Sequence, residues 1–488
     1  MIINREIRPA WDFNTNKQCN QLVISYVDNT GEIKFMTYNI TDNDMFEWDY
    51  AKSQMQADPN FMSWDMKPVR RAKTKKELSK ERIYQILFDL NVNKQIDSIF
   101  DLNYPNTYFW DIENDITEDG HIDPTNAIMP ITVMSWVRYP YVTVLGTKPL
   151  TAEQIQQTQK DIDEHCENFD SKPKYIFQYV YYDTEVKMLY DFINNYVPKA
   201  AAISGWNIWG YDIIYLMDRC KRLGIDITPI APTGSFTTIK NSNGDIVKVP
   251  RHRLIYDYLA CYKKWDRTVK VKENNTLDFV GEATCGVRKV QHKLGLKEMW
   301  EQQPREYIFY NAIDSILVEQ IDKKIKTSKS MYGLAQLTKA EILECFGTIA
   351  SVEIVQNEYL YKEKKVVPIS TKKIDFREYE GAFVFKPEAS ISKWVLGLDY
   401  ASLYPSTIIQ FNLSPETYMF KDKSYAQKAN EIKTASGTVF TKNIEGFMPR
   451  MLSYYYSERK RHKRESGNAY SIASELEKIY NERTKNNS

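Results

Sequence analysis

Acidic residues stand at four places in this chain where a carboxylate could hold a divalent ion. Asp111 and Glu113 end the apolar stretch Thr107-Tyr108-Phe109-Trp110-Asp111-Ile112-Glu113. The period of two in a strand puts both carboxylates on one face, and like charges held that close need a cation. Asp212 closes Asn207-Ile208-Trp209-Gly210-Tyr211-Asp212, between the apolar strand Ala201–Ser204 and a helix containing Ile213, Ile214, Leu216 and Met217. It sits at the positive N-terminal end of that helix, near the strand tip. Tyr310 and Asp314 are four apart, which stacks phenol and carboxylate on one helix face. Asp399 follows the apolar run Trp394-Val395-Leu396-Gly397-Leu398, read as a strand, and leads into Tyr400-Ala401-Ser402-Leu403-Tyr404-Pro405-Ser406. Taken singly, the first three also describe an ordinary strand-end pair, a helix-start residue and a surface Tyr–Asp pair. A lone carboxylate such as Asp399 rarely holds two metals.

The elements that must position these groups follow from pattern. At 488 residues the chain is too long for one core and implies several domains. Residues 1 to about 100 mix short alternating strands, Gln21–Val27 and Ile33–Tyr38, with a charged helix around Lys75–Asp89, and carry no visible chemistry. From Thr107 to about 326 strands alternate with helices, an α/β layer pattern. Within it, two β-prone runs around an Asn-Gly turn, Thr237–Val247, read as a hairpin. Residues 327–365 are mostly helical, and strands return from Tyr379 towards Asp399. From about 450 two helices are expected, separated by Ser466-Gly467-Asn468, the second with Ile472, Leu476, Ile479 and Tyr480 on one stripe. The fold class is therefore α/β and α+β, multi-domain.

Composition narrows the setting. A net charge of +1 conceals any basic groove, so local charge must decide whether the partner is a polyanion. No apolar run is long enough to cross a bilayer, and Met1-Ile2-Ile3-Asn4-Arg5 lacks a signal-peptide core, which suggests a cytoplasmic protein with no membrane partner. Six scattered cysteines without a Cys-x-x-Cys pair, and only five histidines, give no zinc-ligand spacing and read as free thiols. The cluster Arg459-Lys460-Arg461-His462-Lys463-Arg464 puts Arg459 and Lys463 on one helix face, where solvent or an anion must screen them.

The three upstream segments, in their order and setting, resemble the exonuclease motifs of family B DNA polymerases. The resemblance implies an RNase H-like 3′–5′ exonuclease domain whose acids Asp111, Glu113, Asp212 and Asp314 hold two divalent ions, Mg2+ or Mn2+, with Tyr310 orienting the attacking water. Asn207 would touch DNA, and the hairpin would help part primer end from template. Asp399 to Ser406 is a near-complete match to the family's first polymerase motif, and Asn412-Leu413-Ser414-Pro415-Glu416-Thr417 narrows it to the T-even-phage type. On that resemblance Asp399 and the Tyr400 carbonyl bind the two catalytic ions of a completed polymerase site, the Ser402 and Leu403 amides meet the triphosphate, and Tyr404 blocks a ribose 2′-hydroxyl. Tyr379 and Gly381 resemble the template-contacting element between the two domains. Arg459 and Lys463 resemble the finger cations that grip the incoming nucleotide. The implied division is 1–105, an N-terminal domain returning at about 327–375; 106–326, exonuclease; 376–453, first half of the palm; and 454–488, first part of the helical fingers.

The family's second fingers motif, Lys-x-x-x-Asn-Ser-x-Tyr-Gly, and its second palm motif with Asp-Thr-Asp do not occur after residue 406. Tyr182-Asp183-Thr184-Glu185 is a lookalike in the exonuclease region that ends in the wrong residue. The expectation is an N-terminal subunit of a split phage polymerase, bound to primer-template and single-stranded DNA and to dNTP. A C-terminal polypeptide would supply the missing motifs and thumb, with any sliding clamp reached through it, in the host cytoplasm. The polar end Asn481–Ser488 mildly favours a natural split over a truncation. The alternatives are a free-standing exonuclease and a non-catalytic nucleic-acid-binding assembly subunit.

Overall fold

The computed structural model describes residues 1–12, 17–74, 78–92, 99, 101–115, 123–240, 244–266, 274–369, 385–386, 389–391 and 393–485. They form two compact units, Met1–Asp44 with Ile86–Val355, and Met45–Gln85 with Gln356–Ser488. Strands β1 (Ile2–Asp12), β2 (Lys17–Val27) and β3 (Ile33–Ile40) open the first unit as an antiparallel sheet. Its middle strand is buried on both faces at Leu22, Val23 and Ile24. β4 (Phe46–Tyr50), β5 (Met62–Ser63) and β6 (Val69–Lys73) belong to the second unit, where Phe46, Trp48, Phe61, Val69 and Val366 make a small aromatic core. The helix α1 (Lys80–Val92) follows.

A six-stranded sheet in the order β10-β9-β8-β7-β11-β14 carries the first unit. Its strands are β7 (Thr107–Asn114), β8 (Ile131–Arg138), β9 (Tyr141–Gly146), β10 (Ile176–Tyr181), β11 (Ala202–Gly205) and β14 (Leu254–Asp257). β8 pairs antiparallel with both β7 and β9, whereas the pairs β10–β9, β7–β11 and β11–β14 are parallel. Residues 131–137 are buried without a break, the pattern of a strand covered on both faces. The intervening helices are α2 (Ala152–Cys166), α3 (Glu185–Asp191) and α4 (Asp212–Leu223), and the expected hairpin is β12 (Phe236–Lys240) with β13 (Ile246–Pro250). α2 begins with a reciprocal Thr151/Gln154 capping box, and α4 ends at Gly224, whose φ of +68° suits a residue without Cβ.

Helices α5 (Tyr258–Trp265), α6 (Leu277–Cys285), α7 (Leu296–Gln302), α8 (Pro304–Ile325), α9 (Thr327–Thr338) and α10 (Thr348–Lys362) complete the helical layer. α8 lies across the sheet, burying Ile313, Ile316, Leu317 and Ile321, and Ser315 meets Ser135 of β8 at 2.7 Å. β11 lies close against β7: a Cβ on Gly205 would collide with the Trp110 carbonyl, so Gly205→Ala would push the two strands apart. Along β7, β11 pairs with Thr107–Phe109, so among the described residues no strand pairs with that edge of the last residues of β7.

In the second unit β15 (Lys365–Val366) pairs with β5, and α11 (Leu403–Gln410) precedes the sheet β16-β18-β17, formed by Tyr418–Lys421 (β16), Glu431–Lys433 (β17) and Thr438–Thr441 (β18). Two expectations are corrected here. The two helices expected after 450 are one, α12 (Phe447–Lys485), 39 residues long. Gly467 at mid-helix costs only about 1 kcal/mol relative to alanine, too little to break so long a helix. The run Trp394–Leu398 is not a strand. A strand needs a neighbour for its N–H and C=O groups, and among the described residues no segment pairs with it. Tyr379 and Gly381 lie outside the described residues.

Candidate active site

β7 turns Asp111 and Glu113 towards α8, and α8 answers with Asn311 and Asp314. Asp111, Glu113 and Asp314 each bring a carboxylate oxygen within 4.8 Å of the others. Asn311 donates to Asp111 Oδ2 at 2.7 Å and is itself fully buried. Asp212 approaches from the other side, at the first position of α4. Its Oδ1 accepts the Ile112 N–H at 3.2 Å, the donor left over where β11 stops short. The structure thus clusters three of the four acids expected from the sequence and ties the fourth to the backbone between two of them.

The electrostatics follow from burial. Asp212 and Asp314 are 3% and 4% exposed. Desolvation, followed by the neighbouring carboxylates Asp212, Glu113 and Asp314, holds the Asp111 carboxyl well above its ordinary range. Desolvation and Asp314 push Glu113 up to about 8, and desolvation pushes Asp212 up to about 7. Asp314 is raised by burial and drawn back by Lys289. Its Oδ1 is buried with no hydrogen-bond partner among the described residues. An all-oxygen set with an orphaned carboxylate oxygen and mutual repulsion fits a hard divalent cation.

Lys289 is the functional candidate that sequence reading missed. Its Nζ lies 2.7 Å from Asp314 Oδ2 and donates to the Tyr310 hydroxyl at 2.6 Å. Burial alone would lower the lysine's affinity for its proton, but the facing Asp314 carboxylate raises it above the ordinary value. Asp278 fixes the segment by accepting the Lys289 N–H at 3.0 Å. Burial holds the Tyr310 phenol protonated. The available signal was charge balance: four acids converging without a cation require one from elsewhere. Asp257 was missed too. It accepts N–H groups from Asn207 (3.1 Å), Trp209 (3.4 Å) and Leu259 (2.8 Å), and so ties the loop before Asp212 to the start of α5. Asn207 stands in that loop at φ +63°, with its side chain against Gly210.

The second unit presents the Asp399 segment very differently. Asp399 is exposed, as are Tyr400 (79%), Leu403 and Tyr404 (76%), and among the described residues Asp399 belongs to no group of three or more ligating side chains. Ser402 has a left-handed backbone (φ +56°) at the start of α11, a conformation that costs a non-glycine residue energy and turns the chain sharply. Asn412-Leu413-Ser414-Pro415-Glu416-Thr417 acts as a brace. Asn412 Nδ2 donates to the carbonyls of Thr441 and Ile444 at 2.7 and 2.8 Å, its Oδ1 accepts from Gly446, and Glu416 accepts the Phe447 N–H at the start of α12. On α12, Arg461 is neutralised by Glu458 and Glu465, while Arg459 and Lys463 make no ion pair among the described residues.

With this geometry in view, comparison with known proteins is direct. Residues 59–278 match the family model for the DNA polymerase family B exonuclease domain, and residues 350–483 match that for DNA polymerase family B. The chain belongs to DNA polymerase family B. It is similar to the DNA-directed DNA polymerase of Escherichia phage RB69, 28% identical over 302 residues covering 58% of this chain and 33% of the relative. The corresponding figures are 28% over 316 residues, 60% and 35%, for the DNA-directed DNA polymerase of Enterobacteria phage T4. For a DNA polymerase of Archaeoglobus fulgidus they are 29% over 297 residues, 60% and 36%. The chain thus matches about a third of the length of these relatives. Tyr310 and Asp314 lie outside both family matches, and it is the fold that brings them beside Asp111 and Glu113. Among the described residues no helix is long and apolar enough to cross a membrane.

Proposed function

We propose that this chain is the N-terminal part of a DNA-directed DNA polymerase for phage DNA replication, carrying a complete 3′–5′ proofreading exonuclease and half of a polymerase site. The observation that carries the reading is the convergence of Asp111, Glu113 and Asp314 within 4.8 Å, with Asp212 bonded to the backbone between the first two. These four would hold two Mg2+ or Mn2+ ions. Ions bound there supply Lewis acidity for in-line cleavage of a phosphodiester at the 3′ end of single-stranded DNA. Tyr310, kept protonated and fixed by Lys289, orients the attacking water, and Asn207 contacts the strand.

In the second unit Asp399 and the Tyr400 carbonyl would serve the polymerase ions. Ser402 and Leu403 would meet the dNTP triphosphate and Tyr404 would exclude a 2′-hydroxyl. Arg459 and Lys463, free of acidic partners, would hold phosphates, and Tyr379 and Gly381 would contact primer-template DNA. The uncovered run Trp394–Leu398 supports a C-terminal polymerase polypeptide that supplies the second palm carboxylates, the second fingers motif and the thumb, with a sliding clamp reached through it. The domain limits at 105, 326, 375 and 453 are part of the same proposal.

The test is a nuclease and primer-extension assay on the full chain. With Mg2+ it should shorten single-stranded DNA and add no nucleotides. Asp111→Ala with Glu113→Ala should lower cleavage by on the order of 10²-fold or more. Unchanged cleavage in that variant would dismiss the metal site, and primer extension by the chain alone would dismiss the missing partner.

A further inference from the structure

The six-stranded sheet carries a second concave site on the face turned away from the carboxylates. Residues alternate along a strand, so Tyr108 points opposite to Asp111 and Glu113, and Trp136, in register with Trp110, shares the Tyr108 face. Around these two a cavity of about 290 Å³ opens, rimmed by Tyr139 from the β8–β9 turn, by Tyr141 at the start of β9 and by Tyr196 and Lys199 from the segment before β11. Tyr108 stacks on Trp136 with centroids 4.7 Å apart and planes at 16°. Tyr139 and Tyr141 are each about half exposed; Lys323 Nζ lies over the Tyr139 ring at 4.2 Å and Tyr175 meets it edge-on, so Tyr141 offers the open ring face.

The charges here are unusual for a surface cavity. No carboxylate lines it, while Arg138 lies over the Tyr108 ring at 5.6 Å and Lys199 over the Tyr196 ring at 5.1 Å. Arg138 spends one donor on Asn106 Oδ1 at 2.8 Å, and neither cation has an acidic partner among the described residues. Glu319, which accepts the Tyr139 N–H, is neutralised by Lys323 at 3.2 Å. Gln178 accepts from Thr143 at 3.3 Å, and its amide NH2 has no partner among the described residues. An open aromatic face selects a planar ring, unpaired cations select an anion, and a free amide reads a polar ring edge.

We propose that this cavity binds a nucleotide unit, its base stacked on Tyr141 beside Tyr139 and its phosphate held by Arg138 and Lys199. The unit belongs either to a free nucleotide or to an unpaired strand. It is not the 3′ end being cut, which must lie against the carboxylates on the other face. The site is therefore independent of the exonuclease chemistry.

Photocrosslinking of the full chain in EDTA, where metal-dependent cleavage is off, tests this with two probes: 5-iododeoxyuridine monophosphate and an oligothymidylate bearing 5-iodouracil. Adducts mapped by mass spectrometry to Tyr139 or Tyr141 are expected. They should fall about tenfold in Arg138→Ala/Lys199→Ala, a variant of exposed side chains that should keep the wild-type melting temperature and Mg2+-dependent nuclease rate. Adducts with the monophosphate assign the site to a free nucleotide, and adducts with the oligonucleotide alone assign it to an unpaired strand. Absence of rim adducts with both probes, or adducts undiminished in the double variant, overturns the proposal.

Discussion

Asp314 is 4% exposed and held by a lysine from another element, whereas Asp399 lies in a stretch whose large side chains, Val395 to Tyr404, are about half to nine-tenths exposed. Both are acids to which the family resemblance gives a metal. Around the first, α4, α8 and the segment after α6 all deliver side chains or backbone groups, because buried carboxylates are tolerable only when partnered. Around the second there is a strained turn at Ser402, and among the described residues no group of three or more ligating side chains includes Asp399. On the proposed reading one site is finished by its own chain, and the other displays the surface on which a finishing element would sit.

The strongest way to break that contrast is to remove the cation of the finished site. Lys289→Met should slow single-turnover cleavage of single-stranded DNA about 10- to 100-fold, as for other residues that orient metal ligands. It should also change the pH profile, since Tyr310 and Asp314 lose their shared partner. A wild-type rate and profile would show Lys289 to be structural only.

A smaller effect sharpens the electrostatics. Glu113, raised from 4.5 to about 8, and Asp212, raised from 3.8 to about 7, bind protons more tightly folded than unfolded. Their contribution to stability is therefore fully present below about pH 4 and is lost as pH rises towards 8. In EDTA the melting temperature should fall between pH 5 and pH 8. Mg2+ should remove most of that slope, and Asp111→Asn/Glu113→Gln should flatten it without metal. A slope that is the same with and without Mg2+ would argue against a cation among these acids.

The smallest expected effect lies in the second unit. Leu398, 88% exposed, should tolerate replacement by alanine with a change below about 0.5 kcal/mol in denaturant titration of the chain alone. A larger loss would mean that the segment already has a partner within this chain.

What the sequence disclosed and what it hid divide along the same line. The β7 acids, the helix-start Asp212, the i, i+4 pair on α8 and the hairpin were legible because strand and helix periods fix which side chains share a face. Lys289 and Asp257 were not, since their partners lie far along the chain and no local period connects them. Trp394–Leu398 misled for a different reason: its apolar pattern is that of a buried strand, but pattern cannot say whose sheet buries it. The single helix α12 was misread because Ser-Gly-Asn is a turn signal only where nothing else favours a helix, and here long helical flanks override it.

β11 ends at Gly205, and that early stop governs the first site. Extending the ladder along β7 by two or three residues would satisfy the Ile112 N–H with a strand carbonyl and evict Asp212, while leaving the sheet at least as well bonded. Selection for stability and selection for cleavage therefore pull on the length of this strand in opposite directions. Variants that thermostabilise the sheet by lengthening β11 should emerge as the ones that lose the proposed nuclease activity.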